Sequence, residues 1–337
     1  MKEYDFTLNW SIKTEEVFIK VLKEVCQKMN LSFFWISDEN VREVIKGVET
    51  NQIKIKFLLD TEATYNREKD LYARVCYAIK DAGGIIIDDP DRARIAVDKS
   101  AAHYELMNAG INVPYTVVVR NWEPKTFKLS EEEKEKLGSP FIIKPASGYA
   151  WRGVVEATHG SINEIAKARK FDANDNFLLQ EKIKPVKLGD KRAWFRIFHV
   201  FDKLIPCWWD DHTRWYEHIT EEDFQKYHFS PLVKIASEIA KITRMAWFST
   251  EIGIDNKLGH HRFVVIDYIN DQCDMTVKSQ DKTGVPDHIV KYTASSIAES
   301  AYKLINNREI SKEYTVWLSD NKSLQVRGLG DATESLR

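Results

Sequence analysis

The sequence predicts a protein of mixed α and β structure, an α/β unit followed by an α+β body. Three observations predict it. Short apolar runs alternate with helical patterns over the first hundred residues, a long two-residue alternation later in the chain has the period of an antiparallel hairpin, and a loop of small residues with Lys144 and Arg152 lies between them.

In the first stretch, LSFFWIS (31–37), IKIKFLLD (53–60) and GGIIIDD (83–89) are apolar runs bounded by polar or Gly/Pro punctuation. Between them, Val17, Val21 and Val25 follow Thr14-Glu15-Glu16, and Leu71, Val75 and Ile79 precede Gly83, both with helical spacing. Such alternation implies a parallel sheet flanked by helices. No G-x-G-x-x-G follows the first strand and no G-x-x-x-x-G-K-[ST] occurs, so a standard dinucleotide fold or Walker-type loop has no support.

The pattern changes near Asp98. Residues 98–119 read as a helix ending at Gly110, then Pro114 and a β-branched strand. The acidic helix SEEEKEKLG (130–138) leads to the strand 141–144, and a helix around 162–168 precedes the strand NFLLQEKI (176–183). RAWFRIFHVFDKLIPCWW (192–209) alternates throughout, with a turn at Asp202-Lys203, and reads as a long hairpin. The amphipathic helix PLVKIASEIAKITRMAWF (231–248) follows, with Leu232, Ile235, Ile239 and Ile242 on one stripe. The strand HRFVVIDYIN (261–270) and a helix over about residues 288–304 close the unit. The last stretch has one strand-like patch, YTVWL (314–318), and is expected to be partly mobile. The segments expected are 1–97, 98–184, 185–310 and an extension, 311–337.

Composition narrows the function classes. With 337 residues, 43% hydrophobic and 12% aromatic, the chain can bury substantial cores. Its 49 basic and 51 acidic side chains nearly cancel, so no global field draws it to nucleic acid or an anionic membrane, and phosphate affinity must come from a local site. Cys26, Cys76, Cys207 and Cys273 contain no C-x-x-C pair, which argues against a disulfide scaffold or zinc site and for a reducing, cytoplasmic setting. No signal-peptide h-region and no apolar run of about 18 residues is present.

The segment PFIIKPASGYAWRGVV (140–155) is the centre of the functional argument. Lys144 ends an apolar strand; Ser147, Gly148 and Gly153 follow in a loop whose backbone can approach a ligand, and Arg152 adds a second cation. That chemistry suits a polyphosphate. Taken alone, the segment also fits an ordinary hairpin with a glycine turn and a solvated lysine.

The order of the surrounding parts resembles the ATP-grasp superfamily over residues 98–304. Lys99 in DKSAAHYELMNAGINVP matches the lysine that opens the helix of that family's first subdomain, Lys144 in FIIKP the lysine ending the next strand, and residues 147–153 the small-residue loop that closes over phosphates. Gln180-Glu181-Lys182-Ile183 matches the adenine hinge, FRIFHVFDKLI with Arg196 the R-V-x-V-V-G-D-K-V-I hairpin, and Glu251 with the segment 267–270 the late oxygen ligands. The resemblance implies an ATP-grasp fold with a Rossmann-like N-terminal domain, a lid subdomain and an antiparallel C-terminal subdomain.

It also implies roles. Lys99, Lys144 and Arg196 would neutralise phosphate charge, and Arg196 and Lys144 would act in catalysis; each also has an ordinary reading as a surface or paired charge. Ser147, Gly148 and Gly153 would form a flap, with Tyr149 and Trp151 shielding the phosphates. Backbone groups of Lys182 and Ile183 would read adenine, with Glu181 facing its amine. A ribose-binding acid is expected near Leu188, where Asp190 is the substitute. Magnesium, or manganese, would be held by Glu251, Asp267 and Asn270, although Asp267 and Asn270 are one residue further apart than the family's pattern and face opposite sides of a regular strand. Arg214, His212 and Trp209 are candidate substrate contacts, with a packed loop as the alternative.

The implied reaction is ATP- and magnesium-dependent ligation of a carboxylate, small-molecule or peptide, to an amine through an acylphosphate, with neither nucleic acid nor membrane as partner. The alternatives are a small-molecule kinase of the inositol phosphate type and a non-catalytic ATP-binding module. The oligomeric state is left open, a homodimer included.

Overall fold

The structure, a computed structural model, describes residues 1–11, 17–65, 70–121, 127–148, 152–170, 174–319 and 322–326. The N-terminal stretch runs β1 (Lys2–Asn9), α1 (Val17–Lys28), β2 (Phe33–Ile36), α2 (Val41–Glu49), β3 (Ile53–Leu59), α3 (Leu71–Asp81), β4 (Ile85–Ile87) and α4 (Pro90–Ala96). Then come α5 (Lys99–Asn108), β5 (Thr116–Val119), α6 (Glu131–Leu137), β6 (Phe141–Pro145), β7 (Val155–Ala157), α7 (Ile162–Arg169), β8 (Phe177–Glu181), β9 (Lys187–Leu188) and β10 (Lys191–Arg192). The remainder is β11 (Trp194–Val200), β12 (Lys203–Asp210), β13 (Trp215–His218), α8 (Glu221–Lys226), α9 (Ser230–Thr243), β14 (Trp247–Asp255), β15 (Arg262–Asn270), α10 (Asp287–Ile305), β16 (Tyr314–Trp317) and β17 (Ser323–Val326).

Two compact units emerge, and neither is contiguous in sequence: residues 1–94, 194–250 and 270–337 form one, residues 95–193 and 251–269 the other. Each unit is therefore drawn from separate stretches of the chain.

The first unit holds the expected parallel sheet, in the order β2-β1-β3-β4. Its inner strand β1 has no counterpart in the sequence-based expectations. Tyr4, Phe6 and Leu8 alternate with Glu3, Asp5 and Thr7, and Phe6 pairs with both Phe33 and Phe57. Phe6, Leu8, Phe57, Leu58 and Leu59 are completely buried, as befits strands covered on both faces. The same unit carries the predicted hairpin, β11 against β12, with Phe195 opposite Trp208 and Arg196 opposite Cys207. β13 and β16 flank β12, and β17 pairs β16, so YTVWL belongs to a hairpin. The amphipathic helix is shorter than the 231–248 predicted. α9 ends at Thr243 because Arg244 turns left-handed (φ 57°), and the bulky apolar Trp247 and Phe248 begin the fully buried strand β14 instead.

The second unit is built on an antiparallel sheet, β5-β8-β6-β7, with Gln180 opposite both Thr116 and Ile142, and Lys144 opposite Leu178. Helices α6 and α7 each begin with a complete capping box, Ser130 with Glu133 and Ser161 with Glu164, which fixes where they start. Leu137, Phe141, Ile143, Ile165, Phe177 and Leu179 form its core. The end of β14 and most of β15 complete the unit. Among the described residues no helix is long and apolar enough to cross a membrane. Residues 14–16, Tyr149, Trp151 and the end of the extension, 327–337, lie outside the described residues.

Candidate functional site

Within the second unit the two predicted lysines meet. Asp98 caps α5, its carboxylate accepting from the Ser100 and Ala101 N–H groups, and this places Lys99 at the first helical position. The Lys99 ammonium donates to the Gly148 carbonyl at 2.8 Å and lies 3.8 Å from Asp267 on β15. Lys144, near the end of β6, is 8% exposed; its ammonium donates to the Ile266 carbonyl at 2.9 Å and sits 5.3 Å from the centre of the Tyr268 ring. Burial pushes the Lys144 ammonium down to about 8; Asp267 and Glu251 oppose that fall, and the neighbouring Lys99 adds to it.

Tyr268 connects this lysine to the hinge strand. Its hydroxyl accepts from the Gln180 amide at 2.9 Å and lies 2.7 Å from His103 Nδ1. Burial, reinforced by Lys144, lowers His103 to about 4, so the ring is neutral at pH 7. The hydroxyl carries one proton and can give it to Nδ1 while accepting from Gln180.

The loop after Lys144 is pinned at its start. Ser147 donates to Asp175 twice, from N–H at 2.8 Å and from Oγ at 3.3 Å. A side chain at Gly148 would place Cβ 2.2 Å from Pro145 Cγ, and Gly153 takes φ 74°, so both glycines are demanded by the backbone path. Arg152 is exposed.

Along the hinge, Gln180 and Glu181 are buried, and Gln180 also donates to Thr116 at 3.1 Å. The Glu181 carboxylate accepts from the Tyr115 N–H at 3.2 Å and from Lys257 at 2.5 Å, with Arg262 at 3.7 Å. Lys182 is exposed and paired with Glu156, and Ile183 is buried. Asp190 is exposed in the turn between β9 and β10.

Glu251 is buried on β14 and Asp267 is 33% exposed on β15, both close enough to act on the Lys144 charge. β15 is one strand from Arg262 to Asn270, so regular alternation would set Asp267 and Asn270 on opposite faces, and Asn270 falls in the other unit. Among the described residues no three His, Cys, Asp or Glu side chains gather into a metal cage.

The first unit contains the remaining predicted residues. Arg196 lies 4.6 Å above the Trp209 ring centre and donates from Nη1 to the Tyr216 hydroxyl at 2.8 Å. Trp209 is 6% exposed, its faces taken by Arg196 and Tyr216. His212 and Arg214 are at the exposed tip between β12 and β13, where Asp210 accepts the His212 and Thr213 N–H groups and Arg214 turns left-handed at φ 57°.

Neither protein-family models nor curated proteins give a match to this sequence. Solved structures do. A RimK-domain ATP-grasp protein from Sphaerobacter thermophilus matches with a TM-score of 0.56 over 87% of this chain and 98% of that one, at 14% identity. D-alanine–D-alanine ligase from Bacillus anthracis, complexed with ATP, matches with 0.56 over 91% and 99%, at 16% identity. The ATP-grasp ligase PsnB, complexed with a phosphomimetic precursor variant, Mg and ADP, matches with 0.57 over 90% and 100%, at 12% identity. The chain has the ATP-grasp fold.

Several residues that shape this site escape sequence reasoning. Asp175 anchors Ser147 from 28 residues away, and no local pattern announces it. Tyr268 stands inside the strand read for its acids, and Tyr216 inside a segment read for its tryptophans. In both cases alternation from the neighbouring predicted residue was the available signal. Lys257 and Arg262, which hold Glu181, lie in the polar turn joining the last two strands of the site and at the strand that follows it.

Proposed function

We propose that this chain is an ATP-dependent ligase that joins a carboxylate to an amine. The observation that carries the reading is the buried Lys144 ammonium, with Lys99, Asp267 and Glu251 all close enough to act on its charge. A buried cation with a depressed proton affinity is held at a cost that a polyanion relieves. Ligases among the structures of the same fold, one bound to ATP and another to Mg and ADP, support the choice of reaction.

Lys99 and Lys144 neutralise phosphate charge, and backbone N–H groups of the glycine-containing loop beyond Ser147, whose own N–H is held by Asp175, are assigned as directional donors. The hinge from Gln180 to Ile183 takes the adenine, with Asp190 assigned to the ribose. Glu251 and Asp267 are hard oxygen donors of the kind magnesium or manganese prefers, and Asn270 is assigned as the third. When bound, the metal draws charge from the transferring phosphoryl group.

A substrate carboxylate oxygen forms a bond to the γ-phosphorus as the bond to ADP breaks. The amine then attacks the acyl carbon, phosphate leaves, and the amine loses a proton. Arg196 supplies positive charge to the phosphoryl oxygens. No side-chain nucleophile is required, since positioning and charge neutralisation do the catalysis. The acceptor class is a small-molecule or peptide carboxylate.

Hydroxylamine tests this directly. With ATP, magnesium and a panel of candidate acids, a hydroxamate should accumulate along with ADP. A phosphorylated alcohol and no hydroxamate would replace the ligase reading with a kinase, and unchanged thermal stability in saturating Mg·ATP would remove any nucleotide function.

A further inference from the structure

Arg196 is held by more than its own strand. Cys207 of β12 is directly opposite it; Trp209, two residues on, shares that face, and Tyr216 of β13 is opposite Trp209. Diagonal cross-strand neighbours are within reach of long side chains, and here the guanidinium carbon is 4.6 Å from the centre of the Trp209 ring and 5.8 Å from that of Tyr216. The two rings are 4.2 Å apart and inclined at 37°, so each limits the movement of the other. Both residues are nearly fully buried, at 6% and 4% exposure. The Tyr216 hydroxyl also accepts from Nη1 at 2.8 Å.

We infer that Trp209 and Tyr216 are positioning residues that orient the Arg196 guanidinium before an oxyanion reaches it. The indole face fixes the plane of the guanidinium, and the phenol oxygen fixes its rotation within that plane. An arginine on an open strand would lose several rotameric states on meeting a phosphate; this one has already lost them. Cation–π attraction strengthens when water is excluded, and the burial of both rings provides that condition. Trp209 and Tyr216 thus act through Arg196, and neither needs to touch substrate.

The inference rests on the assignment of Arg196 to the phosphoryl group made above. Mg·AMPPNP and Mg·ADP are titrated calorimetrically into the full-length wild type and the variants R196A, W209L, W209F and Y216F, with thermal unfolding of each recorded alongside. The wild type is expected to prefer AMPPNP and R196A to lose that preference. W209L and Y216F should each lower the AMPPNP-to-ADP affinity ratio about tenfold, while W209F, which keeps a π face, retains most of it. A purely structural part would weaken both nucleotides together and leave the ratio unmoved. Wild-type ratios in Y216F and the Trp209 variants, with the preference lost in R196A, would overturn the positioning role and leave Arg196 in place. An unchanged ratio in R196A, or none to lose in the wild type, would overturn the assignment of Arg196 itself. W209F and Y216F keep the test open if W209L does not fold.

Discussion

Replacing Lys144 by methionine separates what the residue does for the fold from what it does for the ligand. Its ammonium falls from an ordinary 10.5 to about 8, chiefly through burial. At about 1.4 kcal/mol for each tenfold in proton affinity, that is on the order of 3 kcal/mol against the folded state at pH 7. Methionine has the same unbranched stem and no charge, so it removes the penalty. It also removes the bond to the Ile266 carbonyl, and an unsatisfied buried acceptor costs about 1–3 kcal/mol. The expected balance at pH 7 is a variant about as stable as the wild type or up to about 2 kcal/mol more so. The sign reverses with pH. Between about 8 and 10.5 the folded wild type binds fewer protons than the unfolded chain, so its stability rises through that window and overtakes the variant. Nucleotide shows the opposite pattern: at a hundredfold excess over Kd, Mg·ATP should add about 2.7 kcal/mol to the wild type and close to nothing to the variant. Urea unfolding at pH 7 and pH 10, with and without Mg·ATP, measures all four quantities. A variant clearly less stable than the wild type at pH 7, or one stabilised equally by Mg·ATP, would refute the reasoning.

Two further perturbations follow from the geometry. Burial raises Asp88 to about 8, against the pull of the Ala246 and Trp247 N–H groups it accepts. The folded chain therefore holds a proton there that the unfolded chain releases above pH 4, and stability should decline from pH 5 to 8 by up to about 1.4 kcal/mol per pH unit; Asp88→Asn should flatten that slope, as pH-dependent chemical denaturation would reveal. Asp175→Ala frees both bonds to Ser147, so Mg·ATP affinity should fall about tenfold with little change in apo Tm, and unchanged affinity by calorimetry would show that the loop needs no anchor.

Legibility in the sequence followed the range of the interaction. The hairpin of β11 and β12, the strand of Lys144 and the helix opened by Lys99 are set by local periodicity and a local cap, and they stand where the sequence puts them, except that the hairpin turns at Phe201-Asp202, one residue before the expected Asp202-Lys203. β1 was illegible for the converse reason. Lys2, Glu3 and Asp5 give it the look of a polar tail, and its inner position comes from parallel partners at residues 33–36 and 53–59. The end of α9 shows a local signal overridden: apolar spacing continues through Trp247 and Phe248, but those side chains are buried in a strand. Residue types at the site could be read one by one. What the types leave open is which partner each takes: Glu181 spends its carboxylate on Tyr115 and Lys257, and Arg196 rests on rings 13 and 20 residues away.

The division into two interleaved units gives the four thiols a use unrelated to redox chemistry. Cys26, Cys76, Cys207 and Cys273 all belong to the first unit, and the second has none. Every one is buried as a free thiol, and burial raises all four above the ordinary thiol range, Cys26 and Cys273 to about 12. A thiol reagent added in pulses meets a silent molecule until the first unit opens, because both access and thiolate are withheld. Compared with the amide exchange of the second unit, the labelling rate tells whether a chain that crosses between units within β14 and again at the end of β15 can release one without the other. The wild-type sequence, unmodified, is its own reporter of that coupling.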